Sequence, residues 1–245
     1  MGGAWLWAML LAAAASMLSV ASAAPGPSEA RALSRTIAES YQAEERGILA
    51  FDVTQHSTIR GGPFRRDDYD VTAFVQTDGR LTAKAVLRHV EGSRSEDHAA
   101  LAKREAEPES PLGRYGMRLP CDPSALDDYS FDAPVVQQQE VVLPFRTRVH
   151  DPAHGDGRIV FDSAAARIVR IDFTPSVPPD RASSANVVIT FGPLMPDRRG
   201  IVKIVRVFEG HVGLVRGRVD STSLYGNARA FSSATAAIEA IEHER

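Results

Sequence analysis

Cysteine is almost missing from this chain of 245 residues: Cys121 is the only one. In an oxidising compartment a lone thiol makes no internal bridge, so the fold must rest on its core. No lone-cysteine nucleophile signature surrounds Cys121, and a buried, inert thiol is its expected state. Catalytic motifs are missing too. There is no Gly-x-Ser-x-Gly, no Ser-x-x-Lys, no His-Glu-x-x-His, no Cys-x-x-Cys and no phosphate-cradling glycine loop. The expectation is a non-enzymatic protein with no catalytic residue, no metal site and no cofactor. An excess of one charge is lacking as well. The chain carries 28 Lys and Arg against 31 Asp and Glu, net −3, with the signs interspersed. No basic cluster stands alone, which argues against a nucleic-acid-binding face. After Ala23 no apolar run is long enough to span a bilayer, so the mature chain has no expected transmembrane span.

One cluster tests the absence of a metal. His150, Asp151, His154 and Asp156 put two imidazoles and two carboxylates within seven residues. Those groups can hold a divalent ion when they converge. Pro152 opposes the helix that would put both histidines on one face, and Asp-Pro and Gly-Asp-Gly are ordinary turn vocabulary. A metal-assisted hydrolase at this turn is the least favoured reading. The adjacent acids Asp67-Asp68 and Asp127-Asp128 read as solvated loop charges.

What is present begins with an export signal. Trp5–Val20 is apolar and small throughout, and Ala21-Ser22-Ala23 is a small-x-small cleavage pattern. Met1–Leu10 carries no Lys or Arg, a departure from the usual positive start. Residues 1–23 are therefore expected to be a signal peptide, and residues 24–245 one β domain of a periplasmic or secreted protein.

Ser28–Arg46 reads as a helix, with Ala30, Leu33, Ile37 and Tyr41 on one stripe, Ser28 as N-cap and Gly47 as stop. Strands follow at Ile48–Thr58, Tyr69–Gln76 and Leu81–Val90, the last two joined by a turn with the Asp78-Gly79 signal. Residues 91–134 interrupt the pattern. Ser95–Glu107 suggests a short helix capped by Ser95, and four prolines follow. The insertion is expected to be either a lid or rim segment or a solvated loop. From Gln138 to Phe231 apolar and polar residues alternate again, with turns every ten or so positions. In the clearest hairpin, Arg158–Asp162 turns at Ser163–Ala165 into Arg167–Thr174. A last hairpin is expected across Glu209-Gly210-His211. Residues 232–243 close the chain as a short helix. This makes nine or ten strands, mainly antiparallel.

The order of helix, meander, insertion and meander resembles the LolA/LolB-like lipoprotein-carrier superfamily. GDGRIVFDSAAARIVRIDF (Gly155–Phe173) is similar to a hairpin of such proteins, and so is the passage from a Tyr-bearing helix into a first strand over Ile37–Phe51. The resemblance implies an unclosed β-barrel, a half β-barrel with a helical lid over an apolar cavity, and a partner that is an acyl lipid or lipoprotein. No position can be matched to the family's functional arginine. The expected lining is Phe51, Val53, Val71, Leu143, Phe145, Ile171, Phe173, Ile189 and Phe191. Alternation shows which residues share a face and not whether that face is empty, so a filled core stands beside the cavity. A non-enzymatic envelope module that docks a protein partner is the alternative function.

Overall fold

The structure is a computed structural model. It describes residues 26–107, 110–113, 116–179, 182–212 and 215–244. The expected signal peptide lies outside the described residues.

Helix α1 (Pro27–Glu44) opens the chain. It starts one residue before the expected Ser28 cap. Gly26 is the N-cap and Pro27 takes the first turn, where its missing N–H costs nothing. Ala30, Ser34, Ile37 and Ala38 are buried along one stripe, with Leu33 and Tyr41 packed beside them. Gly47, at φ +90°, turns the chain into the sheet. Its N–H donates to Asp78 Oδ1 at 2.8 Å, which ties the helix exit to a hairpin turn.

Twelve strands form one antiparallel sheet among the described residues. They are β1 (Ile48–Gly61), β2 (Phe64–Thr77), β3 (Arg80–Glu91), β4 (Arg94–Ser95), β5 (Tyr129–Phe131), β6 (Val135–Gln137), β7 (Glu140–Thr147), β8 (Gly155–Asp162), β9 (Arg167–Pro175), β10 (Ala182–Met195), β11 (Arg198–Val212) and β12 (Val215–Phe231). The order is β4-β3-β2-β1-β12-β11-β10-β9-β8-β7-β5, with β6 also on β7. The two ends do not pair with each other, so the sheet is open. Beyond α1, the helices are α2 (His98–Glu105) and α3 (Ala234–Glu242). None of the described helices is long and apolar enough to cross a membrane, which says nothing of crossing by strands.

Several expected boundaries move. β1 and β2 run past Thr58 and start before Tyr69, pairing as far as Gly61↔Phe64. Glu209, Gly210 and His211 are not a turn but strand residues, paired with Arg218, Gly217 and Arg216. Ser95 does not cap a helix; it pairs with Val90, and Asp97 caps α2 by accepting from Ala100 N at 2.9 Å. The Asp78-Gly79 turn is as read. Asp78 and Gly79 have φ of +48° and +75°, the twist that suits a two-residue hairpin. In the central hairpin Asp162 Oδ1 accepts from Ala164 N and Ala165 N, which sets the turn.

Each face of the sheet is covered over part of its area, by different elements. On the inner face, α1 and the insertion pack over β7–β11. Leu143, Phe145, Ile159, Ile171, Phe173, Val187, Ile189 and Phe191 are buried there with Met117, Leu119, Cys121 and Tyr129 of the insertion. On the outer face, Ala237 and Ile241 of α3 pack on Ala50, Ala73, Val75 and Ala85. Met117, Leu119, Cys121, Ala125 and Tyr129 thus belong to the core, while Arg118, Pro123, Ser124 and Asp127 between them are exposed. Tyr129 OH donates to Arg118 O.

Candidate functional site: an apolar trough on the inner face

The inner face of β1, β12, β11 and β10 changes character along the strands, two residues at a time. Near α1 it is aromatic: Phe51 stacks on Phe74 with ring centroids 6.0 Å apart, and Tyr225 lies 5.9 Å from Phe51. Next comes a polar belt of Gln55, Ser57, Ser221, Ser223 and Arg206. Ser57 Oγ donates to Ser221 Oγ at 3.0 Å, Ser223 Oγ to Gln55 Oε1 at 3.2 Å, and Arg206 Nη1 to Ser223 Oγ at 2.8 Å. Beyond the belt Ile59, Val219, Phe208 and Ala185 stand in register. Then Gly61, Gly217, Gly210 and Ala182 pair side by side, a row almost without side chains. Phe64 and Val215 finish the strands, 53% and 47% exposed.

Cavities follow this floor. One of about 600 Å³ lies over the glycine row, between Ile59, Phe208 and Val219 on one side and Phe64 and Val215 on the other. It adjoins one of about 210 Å³ through the shared walls Pro179, Phe208 and Val219. That one adjoins a polar chamber of about 220 Å³ through Gln55, Gly113 and Arg206. A further pocket of about 140 Å³ shares Ser110 and Pro111 with the chamber and reaches Tyr41 and Glu45 of α1.

Ser110–Gly113 of the insertion crosses this path as a strap. Gly113 N donates to Ser110 O at 2.8 Å, closing the strap's own turn. Arg206 Nη2 donates to Leu112 O at 3.1 Å, and Tyr225 OH donates to Pro111 O. The strap's approach is held from β3. Lys84 Nζ donates to Glu107 O at 2.6 Å and to Arg104 O at 3.3 Å, a cation set on the carbonyl end of α2.

The nine residues expected to line a cavity separate into three groups. Phe51 borders the pocket beside α1 and Val53 borders the polar chamber. Leu143, Phe145, Ile171, Phe173, Ile189 and Phe191 are buried together under α1 and the insertion. Val71 stands on the other face of the sheet, because Val53 pairs with Thr72 and Val71 with Thr54. The trough residues Ile59, Phe64, Phe208, Val215 and Val219 were not among the nine. The signal that could have found them is the glycine at equivalent positions of neighbouring strands.

At the His150–Asp156 turn, His154 is buried. Its Nδ1 lies 2.8 Å from Asp151 Oδ1 and its Nε2 lies 3.2 Å from Asp128 Oδ2. Asp156 Oδ1 instead accepts from Thr147 N at 2.8 Å, and His150 is exposed. Among the described residues no three His, Cys, Asp or Glu side chains form a metal-holding group. Asp151 is held below the usual carboxylate range; burial opposes this and is outweighed by hydrogen bonds from His154 and from the backbone N–H groups of His154 and Ala153. Cys121 is fully buried, and burial pushes its thiol well up.

Solved structures similar to this chain include a LolA superfamily protein from Nitrosomonas europaea, 9% identical, with a TM-score of 0.39, covering 83% of this chain and 96% of that one. Another is described as an outer membrane lipoprotein-sorting protein domain from Vibrio parahaemolyticus, 9% identical with a TM-score of 0.44, covering 85% and 97%. A third is the MucA/MucB complex of Pseudomonas aeruginosa, 8% identical with a TM-score of 0.24, covering 82% and 99%. The resemblance to the LolA superfamily is one of architecture. At these identities and scores it carries no residue's role over to this chain. No family model and no curated protein matches the sequence.

Proposed function

We propose that this protein is an exported, non-catalytic carrier that holds an apolar chain in the inner-face trough, with the Ser110–Gly113 strap gating its inner end. The observation that carries the reading is the 600 Å³ compartment over the glycine row, walled by Ile59, Phe208, Val219, Phe64 and Val215. Protein interiors are close-packed, and an open apolar hollow of this size is the usual form of a ligand site. Each methylene taken from water into it contributes about 0.8 kcal/mol, so one chain supplies enough for tight but reversible binding. The reaction is binding and release, with no covalent step. The apolar run Trp5–Val20 before Ala21-Ser22-Ala23 supports delivery to the cell envelope.

The experiment is native mass spectrometry of the protein purified from its own envelope, followed by organic extraction. A co-purifying acyl lipid or lipopeptide at about one per chain is the expected result. A bare mass, unchanged when lipids are added, would sink the carrier reading. It would favour a protein-docking module, for which β6 offers a surface: Val135 and Val136 are 49% and 69% exposed on a three-residue edge strand.

A further inference from the structure

The apolar part of the trough has a definite length and a polar inner end. From Ser221 to Val215 the β12 floor runs about 20 Å, at roughly 3.3 Å per residue. One leaflet of acyl chains is about 15 Å deep, half the hydrocarbon core of a bilayer. The floor is therefore long enough for an acyl chain laid along the strands. Its inner end is the polar belt, where Ser57, Ser221, Ser223 and Arg206 are already hydrogen-bonded within the protein. A methylene tail driven past that point would break those bonds and return nothing for them. The tail stops at the belt.

Volume sets the same limit. A methylene occupies about as much room as a liquid water molecule, roughly 30 Å³. The compartment of about 600 Å³ on the apolar side of the belt then holds about 20 methylenes. That is one chain of ordinary membrane length with space to spare, and too little for two.

We infer that the ligand is a single-chain amphiphile: one acyl chain per protein, lying from the polar belt to the hairpin tips, with its head group outside the tips. This rests on the carrier reading above.

The test is native mass spectrometry of the protein as the cell makes it, delipidated and titrated with 1-palmitoyl lysophosphatidylglycerol or dipalmitoyl phosphatidylglycerol. One lysolipid per chain is expected, with the dipalmitoyl adduct at least about tenfold scarcer, since its second chain stays in water. Gly61→Leu fills the trough, and its added Cβ meets nothing nearer than 3.8 Å. That variant should bind lysolipid about tenfold more weakly with an unchanged melting temperature. Val219→Gln, which sets an amide in the wall, serves if the first variant does not fold. A dipalmitoyl adduct as abundant as the lysolipid adduct overturns the single-chain inference and leaves the carrier reading standing. No adduct with either lipid overturns both. Undiminished lysolipid binding by a folded variant puts the lipid elsewhere and overturns the inference.

Discussion

Arg206 and Leu112 are 94 residues apart in sequence, and the guanidinium Nη2 donates to the Leu112 carbonyl at 3.1 Å. The same side chain holds Ser223 at 2.8 Å on the neighbouring strand. One buried cation therefore joins the floor of the trough to the strap above it. Hydrogen bonds from a charged group contribute about 1.5–3 kcal/mol each, more than neutral ones. Arg206→Met keeps much of the stem's bulk and removes the donors. Its expected effects are a loss of about 2 kcal/mol in urea unfolding and faster hydrogen exchange at Leu112 and Gly113. Unchanged exchange at those two amides would mean that the strap does not depend on this bond.

The legibility of this fold follows how each stretch meets water. The central hairpin was readable because Ile159, Phe161, Ile168 and Ile171 are buried on the inner face while Arg158 and Arg170 are not. Period two holds from Ile171 to Pro175 and is interrupted only at the bulge between Val160 and Phe161. Over β2 the pattern misleads, because both faces are covered. Ala73 and Val75 lie under α3 while Phe74 faces inward, so apolar residues sit on both sides and Val71 was given the wrong face. The trough was the least readable part. Gly61, Gly210 and Gly217 leave the floor bare, and glycine is also the commonest sign of a turn. The feature that opens the cavity was thus read as a break in the strand at Glu209-Gly210-His211. The hydrogen bonds that seat the strap join residues too distant in sequence for any local pattern.

Gly157 pairs with Phe173 in β9 and with Phe145 in β7. A Cβ added there would stand 1.9 Å from Asp172 O and 2.9 Å from the Phe145 ring. The obstacle is backbone on one side and a buried aromatic on the other, so neither gives way easily. Gly157→Ala is expected to cost about 1–3 kcal/mol, the usual range for overpacking a core. Equilibrium unfolding measures it, and a cost under about 0.5 kcal/mol, the level of a surface change, would contradict this packing.

His154 joins two segments. Its ring lies between Asp151 of its own turn and Asp128 at the end of the insertion, and Arg118 N donates to Ala153 O at 2.9 Å beside it. Removing the ring takes a partner from Asp128 and one from Asp151, which keeps the backbone N–H groups of Ala153 and His154. His154→Ala is expected to destabilise by about 1–3 kcal/mol and to raise protease cleavage between Arg118 and Asp128. The metal content of the purified protein should be the same in variant and parent. A metal present in the parent and lost in the variant would revive the hydrolase reading.

Glu45 caps the C-terminal end of α1 and borders the pocket beside it. Burial pushes its carboxyl up from 4.5 to about 7; Glu44 and Asp122 add to the rise and Arg198 opposes it. Glu44 is raised as well, again chiefly by burial. Between about 4.5 and 7 the folded protein therefore binds protons that the unfolded chain has released, and stability must fall as pH rises through that window. The surface acids Glu96, Glu209 and Asp220 are held low, first by hydrogen bonds from Arg104, Arg216 and Arg218 respectively. Their contribution has the opposite sign and is lost as pH drops below the carboxylate range. The melting temperature should accordingly be highest in mild acid and decline towards neutrality. Glu45→Gln removes the larger part of that decline and melts higher than the parent above pH 7. A variant whose melting temperature falls as steeply between pH 5 and 7.5 as the parent's would show that this carboxyl does not carry the effect.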